Sequence, residues 1–123
     1  MIVRLLKDQT IHESPTCGPV QEILTGDLYP FLNVAVAHDI EPTDAHYHLG
    51  FDEIYFVLDG RLELRFYDPS EDRTWSQALG PDELCVITRG IHHVVTEAPR
   101  PNRLCVITVP RFDPEDEHLS DRL

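Results

Sequence analysis

The sequence predicts an all-β domain, folded as an antiparallel sandwich or barrel. Three observations carry that expectation. About eight or nine short runs of strand-forming residues follow one another at regular spacing. Turn formers separate them, and most of the 10 prolines stand between apolar runs. A helix signal appears only near the C-terminus, after Pro110.

Taken in order, Ile2 to Leu6 reads as a short edge strand, and Ile11 to Pro19, polar and Pro-rich, as a covering loop. Val20 to Leu24 fits a strand or a turn. Phe31 to Ile40, rich in Val and Ala, reads as a strand ending at the turn Glu41-Pro42-Thr43-Asp44. Glu53 to Tyr67 reads as a hairpin, with Asp59-Gly60 supplying a two-residue turn at positive φ. Its second run alternates, Leu62, Leu64 and Phe66 against Arg61, Glu63 and Arg65. Its first run, Ile54 to Leu58, is apolar or aromatic throughout. Both faces of that strand should therefore be covered, the inner by the barrel and the outer by a second subunit. Thr74 to Leu79, Leu84 to Thr88 and Leu104 to Thr108 complete the strands, with turns at Asp68 to Asp72 and Gly80 to Asp82. The last two both read Leu-Cys-Val-Ile-Thr, a shared composition of buried strands rather than a repeat architecture. Asp113-Pro114-Glu115-Asp116-Glu117 predicts one or two helical turns: an N-cap, Pro at the first position, then acids in the first turn.

At 123 residues the chain is one domain by length. Its formal charge of -12 argues against binding nucleic acid, which rests on neutralising phosphates, and against an anionic membrane surface. Three cysteines at Cys17, Cys85 and Cys105 match no zinc spacing. Cys85 and Cys105 sit in apolar runs as small hydrophobes, and Cys17 sits in a loop. No apolar run approaches the ~18 to 20 residues needed to cross a bilayer, and the N-terminus lacks a signal-peptide core. A soluble, reducing, cytoplasmic setting is expected.

The chemistry concentrates between Asp44 and Gly60. His46 and His48 stand two apart, so on a strand they share a face. Glu53 opens the next run, and Gly90-Ile91-His92-His93 offers a further imidazole. Neutral imidazoles with a carboxylate suit Fe, Mn, Ni, Co or Zn. Hard Ca or Mg sites do not use three histidines. The alternative is a hydrogen-bonded polar cluster in which the four side chains satisfy one another.

The full pattern is His-x-His, four residues, Glu, six residues, Gly, and about thirty residues later Gly-x-x-His. It resembles the cupin superfamily, specifically its small single-domain members, over roughly 31–109. The close at Val109-Pro110-Arg111-Phe112-Asp113-Pro114 is similar to theirs as well. The resemblance implies an antiparallel jelly-roll barrel, here a single domain over 1–123 with a barrel core at about 31–109 and a short helical tail at 110–123. It also implies one divalent transition metal, of undetermined identity, held by His46, His48, Glu53 and His93. The Gly-x-x-His spacing selects His93, and its neighbour His92 then points outward to an interface or solvent. Three positions depart from the family pattern: Ile40 where a glycine opens the first motif, Asp82-Glu83 where the second opens with Gly-Asp, and Thr88 where a proline precedes its glycine. All three are turn or strand positions, not ligands.

Beyond the ligands, Tyr55 shares the face of Glu53, either as a hydrogen-bond donor behind the site or as packing. Arg61, Arg65 and Arg89 read as exposed charges, Trp75 as packing, and His12, His38 and His118 as surface residues. The family resemblance implies a metal-dependent enzyme of the dioxygenase, isomerase or lyase type acting on a small polar molecule. The alternatives are a non-catalytic module that binds or senses a small ligand, and a barrel that serves mainly to dimerise. A homodimer is expected, and no nucleic-acid or membrane partner.

Overall fold

Two antiparallel sheets face each other across an apolar interior in the computed structural model, which describes residues 1–15 and 17–123. The strands are β1 (Ile11–Ser14), β2 (Gly18–Leu24), β3 (Asn33–His38), β4 (His46–Tyr47), β5 (Asp52–Asp59), β6 (Leu62–Asp68), β7 (Arg73–Leu79), β8 (Leu84–Ile87), β9 (His92–Glu97), β10 (Arg103–Val109) and β11 (His118–Leu119). One sheet runs β1-β2-β3-β10-β5-β8 and the other β11-β4-β9-β6-β7. The all-β class and the antiparallel double-sheet architecture are those expected.

The interior follows from strand alternation. Glu53, Tyr55 and Val57 of β5 are buried, while Ile54, Phe56 and Leu58 between them are half-buried on the outer face. Direct cross-strand partners share a face. Val57 pairs with Leu104, Tyr55 with Val106 and Glu53 with Thr108, so β10 adds its own inward set. Leu62, Leu64 and Phe66 of β6 close the core from the opposite sheet.

Four local expectations are corrected. Asp59-Gly60 does not close a hairpin: β5 and β6 belong to different sheets, and the turn carries the chain across the interior. Instead β5 is paired along both edges, between β10 and β8. Gly60 is needed there, with φ +83 and a Cβ position only 2.5 Å from the Pro101 carbonyl oxygen. The hairpin is instead β6–β7, paired from Leu62↔Leu79 to Asp68↔Arg73.

The covering loop is partly strand, since Ile11–Ser14 pairs with Gly18–Gln21 on the sheet edge; Thr16 lies outside the described residues. The predicted edge strand at Ile2 to Leu6 is absent. Arg4 caps Ile23 O and Gln9 through its side chain, and a 3-10 turn follows at Leu6–Asp8.

The tail is not helical. Asp113 does cap one turn, accepting from Glu115 N, with Asp116 N bonded to Asp113 O. Asp116 then spends its carboxylate on the backbone of Leu49 and Gly50. That holds the chain extended, and β11 joins the edge of the smaller sheet beside β4. Strands β1, β2 and β11 thus extend the two sheets beyond the 31–109 stretch.

Candidate metal centre

His46 and His93 are direct cross-strand partners on β4 and β9. Glu53 reaches in from β5 on the opposite sheet. His48 follows β4 in an irregular segment. One ligand atom from each of the four lies within 4.8 Å of all the others. His46 and His48 are each 4% exposed, Glu53 5% and His93 1%. Donors about 2.1 Å from a shared ion stand roughly 3 to 4 Å apart, and the 4.8 Å spread of this set is a little wider than that.

Each imidazole is held from behind. His46 Nδ1 donates to Asp44 O at 3.0 Å, His48 Nδ1 to Asp116 O at 2.6 Å, and His93 Nδ1 to Ile91 O at 3.1 Å. A carbonyl only accepts, so in the neutral tautomer every Nε2 presents a lone pair to the centre. His48 Nε2 stands 2.9 Å from Glu53 Oε2, and His93 Nε2 stands 3.7 Å from it. Two acceptors that close repel unless a cation or a proton lies between them. Glu53 Oε2 and His93 Nε2 are buried with no hydrogen-bond partner. The four side chains therefore do not satisfy one another, and the donor set fits a divalent transition metal.

The electrostatics agree. Burial pushes the His93 imidazole down to about 4, against the pull of Glu53. Burial also opposes ionisation of Glu53, but His48 and the charges of all three histidines outweigh it and lower its pKa. Burial lowers His48, yet the close approach and charge of the Glu53 carboxylate reverse the sign and raise it. Tyr55 is held well above the usual phenol range by burial and by the Glu53 charge. It stays a neutral donor beside the carboxylate, its ring edge-on to His93 at 6.1 Å.

Local supports explain the motif spacing. Gly90, at φ +86, sends its N–H to the carbonyl of His48 at 2.7 Å, which ties the Gly-x-x-His turn to the first motif. Phe51, 2% exposed, stacks on the His48 ring at 4.3 Å. Asp116, unforeseen in the sequence, accepts from Leu49 N and Gly50 N and so fixes its own carbonyl against His48. Its place in an acidic run disguised it as a helix-start residue.

The other sequence-marked residues lie apart. His92 points away from the centre, as expected, but not to solvent. It is buried under the chain's own tail, stacked on Tyr47 at 4.1 Å and bonded to Ser120 Oγ at 2.6 Å. His38 bonds Gln21 at 2.7 Å and His118 bonds Asp116 at 2.9 Å, both half-buried rather than free surface groups. Arg61 pairs with Glu63, and Arg89 with Asp52. Trp75 stacks on Phe66 at 5.3 Å. All three cysteines are unbridged and half-buried, and burial pushes the Cys85 thiol up to about 11.

A cavity of about 240 Å³ opens beside the centre, lined by Glu53 with Cys17, Val20, Ala35, Asn33 and Thr108 among others. A second groove of about 590 Å³ runs between the edges of β7 and β8. None of the four candidate ligands lines it, so the first cavity is the one joined to the chemistry.

Two facing antiparallel sheets, with three histidines and a glutamate gathered between them, give a cupin-like fold around a candidate metal site. The chain is a small cupin-like domain, and its fold has close counterparts among solved structures. A mutant oxalate decarboxylase of Bacillus subtilis matches with TM-score 0.76 and 14% identity, over 93% of this chain and 31% of that one. The same enzyme, studied for the EPR fine structure of its Mn(II) centres, matches with TM-score 0.75 and 13% identity over the same shares. A protein from Planctomyces limnophilus matches with TM-score 0.75 and 26% identity, over 97% of this chain and 95% of that one. The chain thus spans about a third of the oxalate decarboxylase chains and nearly the whole of the planctomycete protein. No protein-family model matches the sequence, and no curated protein does. No helix among the described residues is long and apolar enough to cross a membrane.

Proposed function

We propose that the domain is a metal-dependent enzyme acting on a small polar molecule, with His46, His48, Glu53 and His93 as ligands. The carrying observation is that the buried Glu53 carboxylate, its Oε2 without a hydrogen-bond partner, stands both among the Nε2 atoms of three histidines and on the wall of a cavity. A divalent transition metal bound there supplies Lewis-acid polarisation of an oxygen function or redox chemistry with oxygen, as in isomerases, lyases and dioxygenases. The chain's own residues do the rest. Backbone carbonyls fix the three rings, Glu53 stays ionised to balance the ion's charge, and neutral Tyr55 donates toward that carboxylate. Val20, Ala35 and Val106 line the cavity as an apolar wall around the ligand.

The test is the metal content of protein purified without a histidine tag, followed by oxygen uptake and product analysis with small hydroxy and keto compounds. Near-stoichiometric metal, lost in His48→Ala together with turnover, supports the reading. Ligand binding without turnover makes the domain a sensing module, and a metal-free barrel indifferent to His48→Ala refutes both.

The outer face of the larger sheet supports a second proposal, a homodimer. Leu84 and Val86 are each 55% exposed and pair in register with Phe56 and Ile54, so four apolar side chains share that surface. Sedimentation should give a dimer at micromolar concentration, converted to monomer by Val86→Glu.

A further inference from the structure

The cavity beside Glu53 holds a polar group that the metal centre does not use. Thr108 lies on β10 directly across from Glu53 on one side and from Asn33 on the other. It is 3% exposed, and its Oγ1 is buried with no hydrogen-bond partner. A hydroxyl left bare in the interior costs stability, and Val would fill nearly the same volume without that cost. Thr108 is also one of the residues lining the cavity, so its hydroxyl lies in the cavity wall.

The charge of the wall narrows what that ligand is. Among the described residues, neither Lys nor Arg lines the cavity, whereas Glu13, Glu22, Glu53 and Glu117 do. Arg111 lines a neighbouring cleft, its stem packed against Gly26. A dicarboxylate would have only the metal for its two charges and would face several carboxylates. The cavity volume of about 240 Å³ lies below the ~300 Å³ at which drug-sized ligand pockets begin.

We propose that Thr108 orients the substrate, and that the substrate is a small uncharged molecule of the hydroxycarbonyl type: one oxygen directed to the metal side of Glu53 and a hydroxyl directed to Thr108. This rests on the metal reading above. The wall chemistry separates the domain from an enzyme for small dicarboxylates, although its fold matches an oxalate decarboxylase.

Thr108→Val is the test, with Thr108→Ser as the conservative variant. In metal-free protein, Thr108→Val should raise the melting temperature by a few degrees, because no bond is lost and a bare hydroxyl is removed. A lower melting temperature would show a structural role for the hydroxyl and overturn the proposal. On the Co(II)-loaded protein, hydroxyacetone is the uncharged probe and oxalate the dianionic one, read by the visible spectrum. Hydroxyacetone should bind roughly five- to tenfold more weakly to Thr108→Val, with Thr108→Ser near wild type and bound Co(II) unchanged in both. An unchanged affinity in Thr108→Val, tighter binding of oxalate, or no binding of hydroxyacetone by loaded wild-type protein would overturn it. Failure of the wild type to retain Co(II) at all would instead refute the metal reading, while the metal-free melting comparison still decides the state of the Thr108 hydroxyl.

Discussion

Asp116→Ala isolates the support behind one ligand. The carboxylate accepts from Leu49 N at 3.0 Å, from Gly50 N at 2.7 Å and from His118 Nε2 at 2.9 Å. Burial alone would raise its pKa, but these bonds outweigh it and lower it. Hydrogen bonds to a charged acceptor contribute about 1.5 to 3 kcal/mol each. The two amides are exposed enough to rehydrate, which puts their combined loss near 2 to 3 kcal/mol. The His118 pair, being partly solvated, adds under ~1 kcal/mol. For a chain of this length, 2 to 3 kcal/mol lowers the melting temperature by roughly 8 to 12 °C. The second effect is on the metal. The Asp116 carbonyl holds His48 Nδ1 at 2.6 Å, and freeing the segment that carries it should weaken metal binding about 10- to 100-fold, the usual effect of losing a group that orients a ligand. Calorimetry of metal-free protein and Mn(II) titration monitored by EPR measure the two effects separately. His118→Ala should change neither by much. Metal affinity within twofold of wild type in Asp116→Ala, with the melting temperature lowered, would refute the claim that this carbonyl orients His48.

The remaining predictions concern the centre itself. His93→Ala should abolish metal binding, whereas His92→Ala should keep it while loosening the tail at Ser120; metal analysis of both purified variants checks this. Metal at a hundred times its dissociation constant should stabilise the fold by about 2.7 kcal/mol, or roughly 10 °C, and a chelator should reverse that in a melting scan. In metal-free protein, His93 at about 4 stays neutral where the unfolded residue, near 6.5, is protonated. Stability should therefore fall by roughly 3 kcal/mol between pH 6.5 and 4. The lowered Glu53 loses its contribution in the same direction, as pH falls through its folded value. The raised His48 works oppositely, its contribution present at low pH and lost as pH rises. Urea denaturation across that range should show the fall, and a flatter profile in His93→Gln; an identical slope in the variant would assign the effect elsewhere.

The gathering of the four candidate ligands was legible in the sequence because strand geometry converts spacing into direction. His46 and His48 stand two apart, Glu53 and Tyr55 share a face, and the choice of His93 over His92 is one of parity along β9. Sheet membership was less legible. Asp59-Gly60 has the local chemistry of a tight hairpin, but whether its flanking strands pair depends on β10, β8, β9 and β7, which compete for them from far along the chain. The tail failed for a similar reason. Asp113-Pro114-Glu115 starts one turn as its residues prefer, and contacts with Leu49, Gly50 and β4 then outweigh a helix only one or two turns long, which has little stability of its own. Thr108 could not be singled out, because a threonine in a β-branched strand is ordinary until its hydroxyl is seen to lack a partner.

These differences bear on how the centre is maintained. His46 and His93 are placed by the ladder between β4 and β9, and Glu53 by a strand paired on both edges in the larger sheet, so any folded molecule presents them. His48 lies outside the strands. Its ring depends on Phe51 beneath it and the Asp116 carbonyl behind it, and its own carbonyl on the Gly90 N–H. Those supports come from three separate parts of the chain, all outside the strands and none part of the sheet core that holds Val57, Leu64 and Leu104. Fold stability and metal competence should therefore come apart in this domain, and variants around His48 are where folded, metal-free protein should be found.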